Sequence, residues 1–324
     1  MTDYLKNLKH HDNCGTGVIF SKNKVFDHEL VQRSLMSLHN MRHRGAVSYD
    51  GETPDGCGIL FDLDHKFFQK IILDEQKIIL PSNFSVGMFF AKDLVSFQTE
   101  IEKILSKHGF QILALRELSV DKDILGDLAK KSCPKVVQVF LVPKIKDQDN
   151  DKTEIQLFKS KRLIDNNFDS EKEFYCLSLS SKTIVYKGLV LPEHFADFFT
   201  DLKSPAFRSA SATFHIRFST NTSPKWHLSQ PYRVLAHNGE INTIEGNRNW
   251  AKARTASFVS QKLGNLDDYQ PLVNQEGSDS SSLDNILELF TQGGISIARA
   301  ARMLIPPSWQ NTDLMDPDEK AFHE

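Results

Sequence analysis

The chain has 324 residues, enough for one large domain or two ordinary ones, and 40% of them are apolar, which allows a sizeable core. Its 39 Lys and Arg against 42 Asp and Glu leave a net charge of −3, so electrostatics make no case for nucleic acid or an anionic membrane surface as partner. No apolar run approaches the ~18 residues of a membrane span, and the opening "MTDYLKNLKHHD" lacks the basic-then-apolar order of an export signal, so the expected location is cytoplasmic.

Along the chain, "GVIF" (17–20) predicts a short buried strand just behind Cys14. Segment 27–41 carries apolar residues at 30, 31, 35, 38 and 41, which is helical spacing, with Asp27 as N-cap. "HRGAVSYDGETPDGCG" (43–58) is rich in Gly and acidic turn formers and predicts a loop. Strands are predicted at 59–63, 84–90, 110–115 and 135–142, with an amphipathic helix at 93–109 ending on Gly109. The polar stretch 144–154 predicts a surface loop, and 173–188 two strands joined by a tight turn. A proline-opened short helix follows at 192–199. "SATFHIRFST" (211–220) and "YRVLAHNGEI" (232–241) predict strands that run into loops, and 242–258, 278–294 and 295–305 predict helices. Strands and helices abound without strict alternation. The expected class is therefore α+β with mainly antiparallel strands.

The four cysteines, Cys14, Cys57, Cys133 and Cys176, form no CxxC pair and no zinc pattern, and are expected as small buried hydrophobes unless their surroundings argue otherwise. Four stretches offer chemistry, each with a plainer alternative. In "AHNGEIN" (236–242), Asn238-Gly239 is either a hairpin corner or a pair of adjacent donors able to hold an oxyanion. In "FHIRFST" (214–220), Arg217 is either an edge-strand surface cation or a fork for a substrate carboxylate, with Thr220 nearby. Asp279, among the serines of "EGSDSSS" (276–282), is either an N-cap or a partner for a substrate ammonium group. The basic cluster around Arg44 complements its own helix C-terminus on the plain reading, with a flexible glycine-rich acidic loop after it.

Together these motifs resemble a known family. Cys14-Gly-x-Gly, His43-Arg44-Gly45, Asp55-Gly56-x-Gly58, His215-x-Arg217-x-Ser219-Thr220, His237-Asn238-Gly239 and Ser278-Asp279-Ser280 are similar, in this order, to the class II glutamine amidotransferases, which are N-terminal-nucleophile hydrolases. The wording "HRGAVSYDGETPDGCGIL" and "HNGEINTIEGNRNW", with the long stretch between Arg44 and His215, resembles the glutamate synthase large-subunit branch.

The resemblance implies a four-layer α/β/β/α sandwich of antiparallel sheets, with Cys14 at the start of an inner strand. It implies a leader, 1–13, removed on maturation, and an amidotransferase domain over 14–324, truncated at its C-terminal end. Cys14 would be the nucleophile and Asn238 with Gly239 the oxyanion hole. Arg217, Thr220, Asp279, Arg44 and His237 would bind L-glutamine. No cofactor is expected in this chain; FMN and an iron–sulfur cluster would belong to a synthase domain outside it, served by a small electron-donating subunit. The other readings are an amidotransferase domain feeding a different ammonia acceptor, a general amidase of the same fold, and a non-catalytic glutamine-sensing module.

Overall fold

The computed structural model describes residues 15–146, 148–219, 223–255, 257–305 and 315–323. The strands are β1 (Gly15–Phe20), β2 (Cys57–Asp62), β3 (Ser85–Ala91), β4 (Phe110–Glu117), β5 (Lys135–Pro143), β6 (Phe174–Ser180), β7 (Thr183–Gly188) and β8 (Ser211–Ile216). The helices are α1 (His28–Asn40), α2 (His65–Gln76), α3 (Leu94–Lys107), α4 (Asp127–Ser132), α5 (Asn150–Asn167), α6 (Phe195–Phe198), α7 (Ile244–Thr255), α8 (Asp279–Gln292), α9 (Ile297–Leu304) and α10 (Pro317–His323).

The strands form two four-stranded antiparallel sheets, ordered β1-β8-β2-β7 and β4-β5-β3-β6. The pleat of β3 accounts for their stacking: Val86, Met88 and Phe90 join the core shared with β2 and β7, while Phe89 and Ala91 join a second core with α3 and α5. Phe207 knits the inter-sheet core, meeting Phe61 and Phe67 edge-on at ring centroids of 5.4 and 5.1 Å. Helix α1 covers β1 and β8 on the outer side of the first sheet, and α3 and α5 cover the second. The layer order is therefore helix, sheet, sheet, helix, as the resemblance implies.

Most predicted elements are present, and the departures have local causes. Asp27 caps α1 as predicted, accepting from Glu29 N at 3.0 Å. The predicted loop over 144–154 instead starts a helix, because the Asp149 carboxylate accepts from Asp151 N and Lys152 N and opens α5. Strands β6 and β7 are joined by two residues yet enter different sheets. Glu154 of α5 holds that corner, accepting from Ser181 N at 2.7 Å and Ser181 Oγ at 2.6 Å.

Segment 232–241 is not a strand. Several of its backbone groups are taken by side chains: Val234 N by Asp284, both polar groups of His237 by Gln230, and Ile241 N by Asp279. The strand that follows Cys14 is likewise not an inner one. Among the described residues β1 pairs only with β8, and Val18 and Phe20 are 62% and 69% exposed. Cys14, Thr220 and the leader lie outside the described residues.

Candidate functional site

Antiparallel pairing brings the start of β1 against the end of β8. Gly15 is opposite Ile216, and Ile216 is also opposite Cys57 across β2. Arg217 follows at once, so it emerges from the middle of the sheet and is only 6% exposed; it is not an edge-strand surface cation. The 45–56 loop folds round it: Arg217 N donates to Gly56 O at 2.9 Å, and Ala46 N donates to Arg217 O at 3.4 Å. Gly56 has φ +113°, and a Cβ there would lie 2.7 Å from Ser229 Cβ, so glycine is needed for the close approach.

Asp55, beside it, is a buried carboxylate that accepts from Ser219 N and lies in the field of Arg217. Burial raises its pKa, opposed by the Ser219 bond and the guanidinium. Arg44 sits at the same end of the sheet, its Cβ 3.2 Å from where a Gly15 side chain would start.

The second half of the site is the 237–241 loop, laid over the N-terminus of α8. Asp279 Oδ2 accepts from Ile241 N at 2.7 Å, and its Oδ1 accepts from Ser280 N at 2.6 Å. The N-cap itself is Ser278, whose Oγ accepts from Ser281 N at 3.1 Å; Asp279 is the first helical residue instead. His237 Nδ1 and Ser280 Oγ are 3.0 Å apart. The loop crosses to the first sheet through Thr16, whose hydroxyl donates to Asn238 Oδ1 at 2.7 Å. Gly239 is tight for a different reason: a Cβ there would lie 2.8 Å from His237 Nε2. Asn238 and Gly239 are both exposed. Tyr232 ties the two halves together. Its hydroxyl bonds Ser278 Oγ at 2.7 Å and lies in the fields of both Arg217 and Asp279.

Tertiary folding thus gathers Arg44, Arg217, His237, Asn238, Gly239 and Asp279 at one end of the first sheet, next to Gly15. A buried guanidinium, an exposed carboxamide followed by a glycine, and a carboxylate that holds two backbone N–H groups are brought within one region. A cavity of about 850 Å³ shares Tyr232 with this region but none of Arg217, Asn238, Gly239 or Asp279. Burial pushes the thiols of Cys57, Cys133 and Cys176 above their usual range, Cys133 to about 11 and Cys176 to about 12. Among the described residues no group of three or more His, Cys, Asp or Glu could hold a metal ion. None of the described helices is long and apolar enough to cross a membrane.

The chain matches the family described as glutamine amidotransferases class-II over residues 14–324. It belongs to that family. Among curated proteins it is 40% identical over 322 residues to the glutamate synthase [NADPH] large chain of Bacillus subtilis, covering 97% of this chain and 21% of that one. It is 37% identical to the ferredoxin-dependent glutamate synthase of Cyanidium caldarium, over 94% of this chain and 20% of that one. It is 36% identical to the glutamate synthase [NADH] of Saccharomyces cerevisiae, over 97% of this chain and 15% of that one. The chain spans about a fifth or less of the length of these three relatives.

His215, Gln230 and Thr16 bond Asn238 or the His237 backbone, and Asp55 accepts from Ser219 N in the field of Arg217. Asp55 and His215 were visible as motif letters. Gln230 and Thr16 had no sequence signal, because their partners are set by tertiary contact.

Proposed function

We propose that this chain hydrolyses L-glutamine to glutamate and ammonia, with Cys14 as nucleophile, as the amidotransferase part of a glutamate synthase. The observation that carries the reading is the convergence of Arg217, Asp279 and the Asn238-Gly239 pair beside Gly15, one peptide bond from Cys14. The family match also begins at residue 14.

In this reading the leader 1–13 is removed. An N-terminal cysteine has an α-amine with a pKa of about 7.7–8.0, suited to act as base at neutral pH. It takes the thiol proton as Sγ attacks the glutamine side-chain carbonyl carbon. The oxyanion is held by the Asn238 side-chain amide and Gly239 N–H. The C–N bond then breaks, the protonated amine supplies the leaving nitrogen with a proton, and ammonia departs from a thioester. Water attacks that carbonyl, the C–S bond breaks, and glutamate and the free thiol are restored. Arg217, with Thr220, holds the α-carboxylate, Asp279 the α-ammonium, and Arg44 and His237 line the same pocket.

Ammonia would pass to a synthase domain that aminates 2-oxoglutarate. The chemistry assigned to this chain uses its own residues; FMN and an iron–sulfur cluster belong to that synthase part, and electrons would come from a small partner subunit. The described cysteines are single and dispersed, which does not suit a cluster. A free thiol persists most readily in a reducing compartment, in keeping with a cytoplasmic location.

Cys57 is the alternative thiol. It opens β2 at the same end of the sheet, but it is fully buried and donates to Val190 O at 3.1 Å. Burial also holds it protonated. The test is covalent labelling with a glutamine-like diazoketone, read by peptide mass, alongside the intact mass of the purified protein. We expect a chain starting at Cys14 and a label on Cys14 alone. A label on Cys57, or a retained leader in active protein, would overturn the mechanism.

A further inference from the structure

We infer that Thr16, His215 and Gln230 are positioning residues that set the direction of the Asn238 and Gly239 donors. The inference rests on the oxyanion role proposed above and assigns that role a supporting brace.

Asn238 must present N–H groups, not its carbonyl oxygen, to a developing oxyanion. A carboxamide can flip, and only its neighbours decide which end faces where. Here Thr16 Oγ1 donates to Asn238 Oδ1 at 2.7 Å. The His215 ring lies against the same Asn238 side chain. A donor on Oδ1 turns the N–H₂ end away from Thr16.

The backbone is fixed by the same group of residues. Gln230 forms a two-point pairing with the main chain of His237, accepting from its N at 2.9 Å and donating to its O at 3.1 Å. His215 Nε2 lies 3.2 Å from that same carbonyl oxygen. With two donors on it, the His237–Asn238 peptide has a set plane, and the next peptide carries the Gly239 N–H. Both supports are themselves rigid: His215 is fully buried on β8 and Gln230 is 5% exposed. Burial pushes the His215 pKa down to about 4, so near neutral pH the ring is uncharged and, as the Nε2–H tautomer, donates to the carbonyl.

The experiment is a double-mutant cycle in the full protein, with its N-terminus verified by mass. Thr16 is exposed on an edge strand, so Thr16→Val removes the donor with little risk to folding. We expect kcat to fall about tenfold with glutamine affinity, by direct titration, changed less than about twofold. Thr16→Ser should restore most of kcat. In an Asn238→Ala background, Thr16→Val should have almost no further effect, because the group it orients is gone. Gln230→Glu, which replaces the amide donor by a carboxylate oxygen facing His237 O, should lower kcat in the same affinity-neutral way.

If Asn238→Ala lowers turnover but Thr16→Val does not, or costs the same factor in both backgrounds, the brace is structural and this inference fails alone. If Asn238→Ala itself keeps near-normal turnover, the oxyanion assignment fails and takes the brace with it.

Discussion

Arg217 shows how much depends on one side chain's surroundings. A guanidinium emerging from mid-sheet with 6% exposure has lost most of its water, and a carboxylate delivered to its planar fork regains two parallel hydrogen bonds. Arg217→Lys keeps the charge and loses the fork. We expect glutamine affinity, measured by calorimetry, to fall at least tenfold, roughly 1.4 kcal/mol. Asp279→Asn should weaken binding to a similar degree and also loosen Ile241, whose N–H its carboxylate holds. Normal affinity in both variants would mean the pair is structural. Asn238→Ala separates the oxyanion role from binding: turnover should fall by roughly 10²–10³, while glutamine affinity changes much less, because the donors matter most to a charge present only in the transition state.

Among elements, the irregular 232–241 segment depends most on what lies beneath it. Arg233 is buried with three carboxylates around it: Asp165 at 2.8 Å, Glu288 at 3.4 Å and Asp284 at 3.7 Å. Lys161 of α5 also pairs with Glu288. These bonds tie the segment to α5 and α8, and Asp284 adds a bond to Val234 N. Arg233→Met would leave Asp284 and Glu288 with only Lys161 to offset their charge, and we expect a loss of about 3–5 kcal/mol in denaturant unfolding. A change under about 1 kcal/mol would show that the segment is held by its side-chain caps alone. The sequence singled out the HNG triplet within this segment. It did not show that the flanking residues are irregular, because alternation of apolar and polar letters does not reveal a carboxylate arriving from another helix.

For the whole molecule, pH is the lever that follows from burial. His215 and His227 are both pushed down to about 4, in each case chiefly by burial, from the usual 6.5. Between pH 6.5 and 4 the unfolded chain therefore binds protons that the folded chain refuses. Stability is fully present above about 6.5 and is lost as pH falls toward 4, with each histidine contributing on the order of 1–3 kcal/mol. Thermal unfolding at pH 7.5, 5.5 and 4.5 should show this decline, and His227→Gln should make it shallower. A flat profile over that window would mean that both rings titrate normally in the fold. Asp50, held down at about 2, acts with the same sign but at lower pH, below about 3.8, and so is separable.

Periodicity and turn chemistry determined much of this protein before any coordinates: the β-rich α+β class, the Asp27 cap and most strands of both sheets; the motif letters Arg44, Arg217, His237, Asn238, Gly239 and Asp279 were legible through their resemblance to a family. Those features are local, since a strand or cap is written in residues a few positions apart. Tertiary structure alone decided that β1 is an edge, that β6 and β7 part into different sheets, that Asp149 opens a helix in a polar stretch, and that Ser278 rather than Asp279 caps α8. It also decided which side chains steady the site. Thr16 meets Asn238 across 222 positions, and such a pairing leaves no repeat in the sequence, because hydrogen bonds between side chains and distant backbone are chosen by packing and not by spacing.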